Sequence, residues 1–317
     1  MLTKLRIRNF RGITTGEIGD LARLNMLVGA NNSGKSTILD AMCLGYCSDP
    51  ANMVHRLAAR RTRRSDLALS YLTPFGADAS GEIECTAEGV TILTKFTSSR
   101  SEADRSFETH RSVKTATNSG WISPGVEIVT PDLVPAYGDE RLSAESVFNR
   151  VADQGTEAVR RLEQLVQRAY PEVSRVFPRT NGGSSGQVPY ISLVVEKGSI
   201  PIHVAGDGLQ RLFRIACVAA TLPGGLLLLE EPECYLHPAS LKLLAQLLTQ
   251  TALSTQIVVA THSIELMDRI FEASRIGGSA SDVMVHVTQM HGGILSTTPI
   301  SGEDAERARS SVELELR

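Results

Sequence analysis

The 317-residue chain has 42% hydrophobic and 21% charged residues and a formal net charge of -3 at pH 7. This length provides a large buried core, which excludes a disulfide-stapled miniprotein. No uninterrupted apolar stretch reaches the ~18 residues that a membrane helix needs, and the first residues do not form a signal peptide. The small net charge excludes a global basic field, so any contact with nucleic acid would be local.

The cysteines indicate a reducing compartment. Five are present, an odd number, and none forms a CxxC pair: Cys43, Cys47, Cys85, Cys217 and Cys234. This pattern argues against a disulfide framework and against a zinc knuckle. We therefore expect a soluble cytoplasmic protein.

The N-terminal part predicts two strands, a glycine loop and a helix. Leu2 to Phe10 alternates apolar and basic residues like a half-buried strand, and the strand Leu24 to Val28 runs directly into the loop. Beyond the helix, five arginines fall at helical spacing, either on a solvated face or on a surface for phosphate or a partner. These are Arg56, Arg60, Arg61, Arg63 and Arg64.

The middle of the chain carries weaker patterns. Ile83 to Phe96 alternates like a strand, Ser98 to Ser119 is polar and predicts an exposed loop, and Arg141 to Ala169 predicts a helical arm or lobe. The segment Asn181 to Pro189 predicts a flexible loop before another strand. Lys197 to Ser199 predicts a hairpin turn, which a strand over Ile200 to Val204 follows.

The last third reads as α/β units. Helices are predicted over Gly206 to Leu222 and Pro238 to Leu253, and buried strands over Gly225 to Leu229 and Gln256 to Ala260. A terminal hairpin follows, formed by Val283 to Thr288 and Gly293 to Pro299. The charged residues 301–317 predict a frayed tail.

The segment from Gly29 to Ser36 satisfies the phosphate-loop pattern GxxxxGK[ST] and lies between a predicted strand and a predicted helix. Glycines let backbone N–H groups surround phosphate oxygens, and the start of the helix directs its positive dipole end at them. Lys35 is predicted to bridge the β- and γ-phosphates, Ser36 to bind Mg²⁺ and Thr37 to contact the α-phosphate side. The predicted nucleotide-binding residues here are Gly29, Asn31, Asn32, Ser33, Gly34, Lys35, Ser36 and Thr37.

A buried apolar strand ends in two carboxylates within LLLLEEPECYLHP. This position predicts that Glu230 holds the Mg²⁺ shell and that Glu231 polarises the attacking water, because phosphoryl transfer needs positioning and charge neutralisation. The alternative is that the pair caps the next helix.

His262 follows a second buried strand, in the sequence QIVVATHSIELMD. A parallel sheet presents its functional groups at this edge, which favours a γ-phosphate sensor. The alternative is a loop histidine with an ordinary hydrogen bond.

With these motifs in order, the chain resembles the ATP-binding-cassette (ABC) class of P-loop ATPases, specifically the non-transporter heads of the RecF, SMC and OLD kind. IRNFRGI is similar to the first strand of the family, GANNSGKST to Walker A, EEPECYLHP to Walker B with the D-loop, and THS to the switch-histidine segment. The resemblance covers Leu2 to Gly45 and Ser192 to Asp268. It implies a mixed α/β fold with a mixed sheet, an N-terminal antiparallel portion and a helical lobe.

The segment AGDGLQRL resembles the signature motif of the family, which implies that Gly206 and Gly208 contact phosphate. Asp207 adds a negative charge that repels the γ-phosphate unless it caps the helix. A glycine turn that merely starts a helix is the alternative. The chain also departs from the family in two ways: Glu230 stands where most members have Asp, and no Gln occurs between Thr37 and Asp153.

The resemblance implies an ATPase with ATP and Mg²⁺ as ligands, with Lys35, Glu231 and His262 as catalytic residues and with Ser36 and Glu230 at the metal. It also implies a homodimer, because the signature of one subunit covers ATP held by the other. The implied layout is one head over 1–317, with lobe I over 1–97, a variable helical insertion over 98–189, the signature, Walker B and switch segment over 190–300, and the tail over 301–317.

Three functions follow from the resemblance. The first is a head that acts on DNA in repair or phage defence with a separately encoded nuclease or effector. The second is a nucleotide switch that gates a partner protein without DNA. The third, a transporter ATPase subunit, is disfavoured because the LSGGQ sequence and a membrane-coupling segment are missing.

Overall fold

The structure is a computed structural model that describes most of the chain. The described residues are 1–61, 72, 79–100, 105–115, 125–130, 144–181, 188–196, 198–277 and 282–310. Arg63 and Arg64 lie outside these ranges, and the side chains of Arg60 and Arg61 are not described.

The described residues form strands in two sheets. The strands are β1 (Leu2–Phe10), β2 (Ile13–Ile18), β3 (Leu24–Val28), β4 (Ala79–Ala87), β5 (Val90–Arg100), β6 (Arg105–Thr115), β7 (Val126–Val129), β8 (Arg175–Asn181), β9 (Val188–Val195), β10 (Gly198–Pro201), β11 (Leu226–Glu230), β12 (Gln256–Ala260), β13 (Val283–His291) and β14 (Ile294–Ser301).

The helices lie on both sides of the large sheet. They are α1 (Lys35–Tyr46), α2 (Pro50–Arg61), α3 (Ala144–Asp153), α4 (Thr156–Ala169), α5 (Asp207–Ala220), α6 (Pro238–Ala252), α7 (Ile264–Ile276) and α8 (Gly302–Ser310), with a short 3₁₀ turn at Ile202–Val204.

The large sheet has 11 strands in the order β6-β5-β4-β1-β2-β14-β13-β3-β12-β11-β7, and β10-β9-β8 form a second sheet. Strands β13, β3, β12, β11 and β7 are mutually parallel, whereas β6, β5, β4, β1 and β2 are antiparallel. The predicted mixed sheet with an N-terminal antiparallel portion is confirmed.

The parallel strands are buried on both faces, which explains their continuous apolar sequences. Leu227, Leu229 and Val259 face a core shared with α3 to α7, whereas Leu228 and Val258 face a core shared with α1 and α2. Successive residues of a strand point to opposite faces, so each of these strands contributes to two cores.

Four expectations from the sequence are wrong in part. Ser98 to Ser119 was expected to be a loop, but β5 continues to Arg100 and β6 pairs with it from Arg105 to Thr115. Polar residues suit β6 because, among the described strands, it lies at the edge of the sheet.

The helical segment Arg141 to Ala169 consists of two helices instead of one. The two helices are separated at Gly155, whose φ of 92° lies in the left-handed region that glycine tolerates. Residues 141–143 lie outside the described ranges. The Ile200 to Val204 strand likewise ends early, because Ile202–Val204 form the 3₁₀ turn.

The predicted frayed tail begins with an ordered helix, α8. Ala305 is fully buried, and Arg309 forms an ion pair with Asp268 of α7 at 3.2 Å. This helix was not predicted because its sequence is highly charged and its buried residue, Ala305, has a small side chain. Residues 311–317 lie outside the described ranges.

Candidate nucleotide-binding site

The glycine loop follows β3 and leads into α1, as the pattern predicted. Gly29 has a φ of 149°, and a Cβ there would lie 2.4 Å from the carbonyl oxygen of Thr288. Gly34, with a φ of 93°, caps the N-terminus of α1. A side chain at either position would be strained, so these glycines permit both the turn and its close approach to β13.

Lys35, the first residue of α1, folds back over the loop. Its Nζ atom donates hydrogen bonds to the carbonyl oxygens of Gly29 at 2.8 Å and Ala30 at 3.0 Å. Burial lowers the pKa of Lys35, and the negative charge of Glu231 opposes that shift. The ammonium group therefore lies inside the loop beside a carboxylate, where a phosphate would compete for it.

Strand β13 holds the glycine loop from the side. The hydroxyl groups of Ser33 and Thr288 lie 2.8 Å apart, and Thr288 Oγ1 also donates to the carbonyl oxygen of Val28 at 3.0 Å. These buried contacts join the end of β3 to the middle of the loop. Thr288 was not predicted from the sequence, because it is ~250 residues away and lies in an unremarkable strand.

The two predicted carboxylates follow β11. Glu230 is 9% exposed, and Glu231 adopts a left-handed φ of 43°. The backbone N–H of Glu231 donates to the carbonyl oxygen of Ala260 at 2.8 Å, which links the ends of β11 and β12. A non-glycine residue in this region stores strain, and such strain concentrates at functional positions.

The motifs meet in one cavity of about 770 Å³. Strands β3, β12 and β11 are adjacent and parallel, so their carboxyl ends, and the loops that follow them, lie at one sheet edge. The residues that line the cavity are Arg11, Gly12, Asn31, Asn32, Ser33, Gly34, Lys35, Ser36, Thr37, Glu230, Glu231, Ala260, His262 and Met290.

Arg11 and Met290 enter this cavity without having been predicted. Arg11 follows β1 and forms an ion pair with Asp40, a fully buried residue of α1. Its guanidinium group also lies 5.7 Å from the ring centroid of Phe10. The sequence segment IRNFRGI contains Arg11, but no spacing rule within it marks the arginine as a cavity residue.

The switch segment is fixed by a glutamate that sequence reasoning did not select. Glu233 Oε1 accepts a hydrogen bond from Thr261 Oγ1 at 2.5 Å and one from the backbone N–H of His262 at 3.3 Å. Thr261 is fully buried, whereas the His262 side chain is exposed and lines the cavity.

Arg211 joins α5 to the segment after β11. Its guanidinium donates to the carbonyl oxygens of Pro232 at 2.8 Å, Glu231 at 2.9 Å and Thr130 at 3.3 Å. Arg211 is 2% exposed, and burial lowers its pKa. It therefore holds the backbone of Glu231 from the helix that begins at the proposed signature.

Cys234 lies 3.3 Å from a carboxylate oxygen of Glu231, measured from Sγ to Oε2. Burial and this hydrogen bond raise the pKa of Cys234 to about 11. The thiol therefore stays protonated at neutral pH and can donate to Glu231.

The proposed signature lies outside the cavity wall described above. Gly206 is the N-cap of α5, and Asp207 is an exposed first residue of that helix, where its charge suits the helix dipole. A Cβ on Gly208 would lie 3.4 Å from Leu236 Cδ2, so the signature adjoins the segment that follows Walker B.

The arginine-rich helix is only partly available as a surface. Arg56 forms an ion pair with Glu127 at 2.8 Å, and Arg150 bonds the other oxygen of that carboxylate at 2.7 Å. Arg56 therefore has a structural role in this ion-pair cluster. For the other four arginines, a surface that binds phosphate or a partner remains a prediction.

The residues present suit a hard cation bound together with phosphate. Ser36 and Glu230 both line the cavity and offer the oxygen ligands that Mg²⁺ prefers. Within the described ranges, no group of three or more His, Cys, Asp or Glu side chains is arranged to hold a metal.

In the described part of the chain, every helix is too short or too polar to cross a bilayer.

Comparison with known proteins gives a family and a fold. Residues 95–268, more than half of the chain, match the profile of the family described as "AAA domain, putative AbiEii toxin, Type IV TA system", and residues 1–44 match the profile described as "AAA ATPase domain". The uncharacterized protein MJECL11 of Methanocaldococcus jannaschii is 30% identical over 115 residues, which are 35% of this chain and 98% of that protein.

Solved structures of SMC heads have the same fold. The SmcHead bound to the C-winged helix domain of ScpA superposes with a TM-score of 0.61 at 17% identity, covering 96% of this chain and 99% of the other. The Smc head bound to the C-terminal domain of ScpA, from Pyrococcus furiosus, gives 0.60 at 16% identity, covering 99% of each chain. The SMC head of Thermotoga maritima gives 0.52 at 16% identity over 94% of this chain and 98% of the other.

These comparisons confirm the resemblance inferred from the motifs. The roles of the individual residues stay predictions. The chain belongs to the AAA domain family and is a P-loop ATPase with the fold of an SMC-type ABC head.

Proposed function

We propose that this ATPase works as a homodimer in which two ATP molecules are sandwiched between the heads. One observation carries the proposal: the cavity contains the Walker A residues, Glu230, Glu231 and His262, but neither Gly206 nor Gly208. A second copy of the chain would supply the signature glycines. ATP would then act as a removable link between subunits.

The surface around the signature supports this arrangement. Val204, two residues before Gly206, is 64% exposed, and Tyr235, in the segment after Walker B, is 67% exposed. Tyr235 also has a left-handed φ of 65°. Exposed apolar side chains beside an exposed helix N-terminus are suited to burial by a second head that brings phosphate.

The proposed chemistry assigns each motif one task. Lys35 neutralises the β- and γ-phosphates, Glu231 orients the attacking water, and His262 contacts the γ-phosphate. Ser36 and Glu230 would hold Mg²⁺, which neutralises phosphate charge when bound.

We further propose that the dimer acts in DNA repair or phage defence through a separately encoded nuclease or effector. Two of the similar SMC heads are described as bound to domains of ScpA, so heads of this fold dock partner proteins. The description of the matched family names a toxin of a type IV TA system, which is compatible with a defence role.

A nucleotide switch without DNA binding is the second candidate. It is favoured by the pairing of surface cations on the N-terminal strands: Arg6 bonds Glu17 and Glu84, and Arg8 bonds Glu82. Such pairs reduce the positive charge that a DNA backbone would meet. This candidate predicts ATP-driven association without salt-sensitive DNA binding.

The test is the steady-state rate of ATP hydrolysis per subunit at rising protein concentration, with and without duplex DNA. A rate that climbs with concentration and is lost in Glu231→Gln supports the composite dimer site. Stimulation by DNA that disappears when Arg60, Arg61, Arg63 and Arg64 are changed to Glu supports the DNA role. A flat rate that survives in Glu231→Gln contradicts both the dimer and the catalytic assignment.

A further inference from the structure

We propose that Glu233 is a positioning residue that holds the switch loop, defined as Thr261–Ser263, and thereby places His262 in the cavity. The inference rests on the proposed role of His262 as the γ-phosphate contact. It assigns a function to a carboxylate that does not itself line the cavity.

The hydrogen bonds of the switch loop converge on one oxygen atom. Glu233 Oε1 accepts from the Thr261 hydroxyl at 2.5 Å and from the His262 N–H at 3.3 Å. The Thr261 hydroxyl in turn accepts from the N–H of Ser263 at 2.9 Å. Consecutive residues of the loop are thus tied, directly or through one hydroxyl, to a side chain that follows β11.

Other hydrogen bonds hold the two ends of the same loop. Thr261 N donates to the carbonyl oxygen of Leu27 at 3.2 Å, at the start of the loop, and Ser263 caps α7 through its bond with Leu266 N at 3.1 Å. Those contacts hold the two ends. Glu233 contacts the centre of the loop, where His262 lies.

Arg211 of α5 lies near enough to Glu233 for their charges to interact. Burial lowers the pKa of Arg211, and the negative charge of Glu233 opposes that shift. Arg211 also bonds the carbonyl oxygens of Glu231 and Pro232. Glu233 therefore connects the switch loop to a segment that α5 already holds in place.

The second carboxylate oxygen shows that the side chain is held inward. Glu233 Oε2 is buried and has no hydrogen-bond partner among the described residues. A glutamate whose only task is solubility keeps both oxygens in water, since a buried acceptor without a partner is costly. Here the contacts of Oε1 with the switch loop offset that cost.

The experiment compares kcat and KM for ATP in the full chain with Mg²⁺ present. We expect Glu233→Ala and Thr261→Val each to lower kcat by about tenfold, the scale of a lost hydrogen bond to a charged group, with KM changed less than twofold. Thr261→Ser keeps the hydroxyl and should retain the kcat of the native protein. Glu265→Ala, which removes an exposed carboxylate from the next helix, is the matched control.

A double variant and His262→Ala complete the test. If Glu233 and Thr261 act through one contact, Glu233→Ala combined with Thr261→Val should lose no more kcat than the worse single change. If Glu233→Ala does not fold, the contrast between Thr261→Val and Thr261→Ser decides.

Two results would overturn the inference, and they are distinguishable. Unchanged kcat in Thr261→Val and Glu233→Ala, with activity lost in His262→Ala, removes only the positioning role. Full activity in His262→Ala removes the proposed role of His262 and the inference with it.

Discussion

The cavity and the signature surface differ in how completely one chain builds them. The cavity is enclosed by loops after β3, β11 and β12 and is tied together by Thr288, Arg211 and Glu233. The signature surface, defined by Val204, Gly206, Gly208 and Tyr235, is largely exposed. No side-chain cap holds the start of α5.

In the proposed dimer, this difference separates what one chain completes by folding from what a second head would supply. Buried hydrogen bonds can fix the cavity before ATP arrives, so binding there needs little rearrangement of the backbone. The signature surface presents backbone N–H groups to solvent, and a second head would have to bring their phosphate. Changes in the two regions should therefore have separable effects.

The largest effect is expected from Lys35→Ala, which alters only the cavity. Loss of the ammonium group should lower ATP hydrolysis at least about 100-fold and weaken ATP binding, because the phosphates lose a buried positive charge. Steady-state turnover and equilibrium binding of ATP measure the two effects. Lys242→Ala removes an exposed lysine of α6 and should leave both unchanged; equal losses in the two variants would contradict the assignment.

The next effect separates the two regions. Gly208→Glu should abolish hydrolysis. A single chain should still bind ATP, because the added Cβ meets Leu236 at an ordinary 3.4 Å and the residues of the cavity are unchanged. Mixed with Lys35→Ala, it should recover about a quarter of the native rate, because half of the random dimers contain one intact composite site. A mixture as inactive as its components would break the comparison.

A smaller effect is expected where the regions are joined. Arg211→Met removes the donor to three backbone carbonyls and should lower the free energy of unfolding by about 3 kcal/mol and kcat by about tenfold, with ATP affinity retained. Urea unfolding and steady-state kinetics measure these changes. Arg269→Met, at a half-buried position of α7 that lies away from the cavity, serves as control, and a stable Arg211→Met with native kcat would show that the link is dispensable.

The smallest effect concerns only the stability of the sheet beneath the cavity. His286 of β13 is fully buried beside Asn25, and burial lowers its pKa to about 4. The folded state therefore favours the neutral ring. The contribution of His286 to the free energy of unfolding is fully present above the unfolded pKa of about 6.5 and falls as the pH drops toward 4. The loss should be about 2 kcal/mol at pH 5.

His286→Gln should flatten this dependence between pH 7 and 5, measured as the free energy of unfolding in urea at each pH. ATP affinity at pH 7 should not change, because the ring does not line the cavity. An equally steep dependence in His286→Gln would assign the acid sensitivity to other groups.

The motif residues were predictable because their chemistry fixes their spacing. Walker A needs glycines at set positions for phosphate to approach backbone N–H groups, and Glu230 and His262 must each follow a buried strand to reach the same edge. Each requirement is local in sequence. The structure indeed brings Lys35, Glu231 and His262 to one cavity.

The supporting residues were not predictable in the same way. Thr288, Arg211 and Glu233 act across separations of 255, 20 and 28 residues, respectively, with Ser33, Glu231 and Thr261 as partners. Their residue types are common on any surface. Nothing in a local pattern distinguishes a buried Arg211 that bonds carbonyl oxygens from a solvated arginine on the same helix.

The secondary structure shows the same division. Buried strands such as β11 and β12 were recognisable from continuous apolar runs, whereas β6 and α8 were missed. Their polar sequences resemble loops and tails when read alone. Strand β6 is stabilised by its pairing with β5, and α8 by packing against α7 and β13.

The P-loop ATPase chemistry and the mixed α/β fold class could be predicted from local patterns alone, because glycine spacing, strand-end carboxylates and apolar periodicity are local consequences of phosphate binding and burial. The tertiary structure decided which strands became neighbours, how Glu231 is held in a strained conformation, and that Gly206 and Gly208 lie outside the cavity of their own chain. The physical reason is that these features depend on contacts between residues far apart in the chain, whose energies no local pattern records.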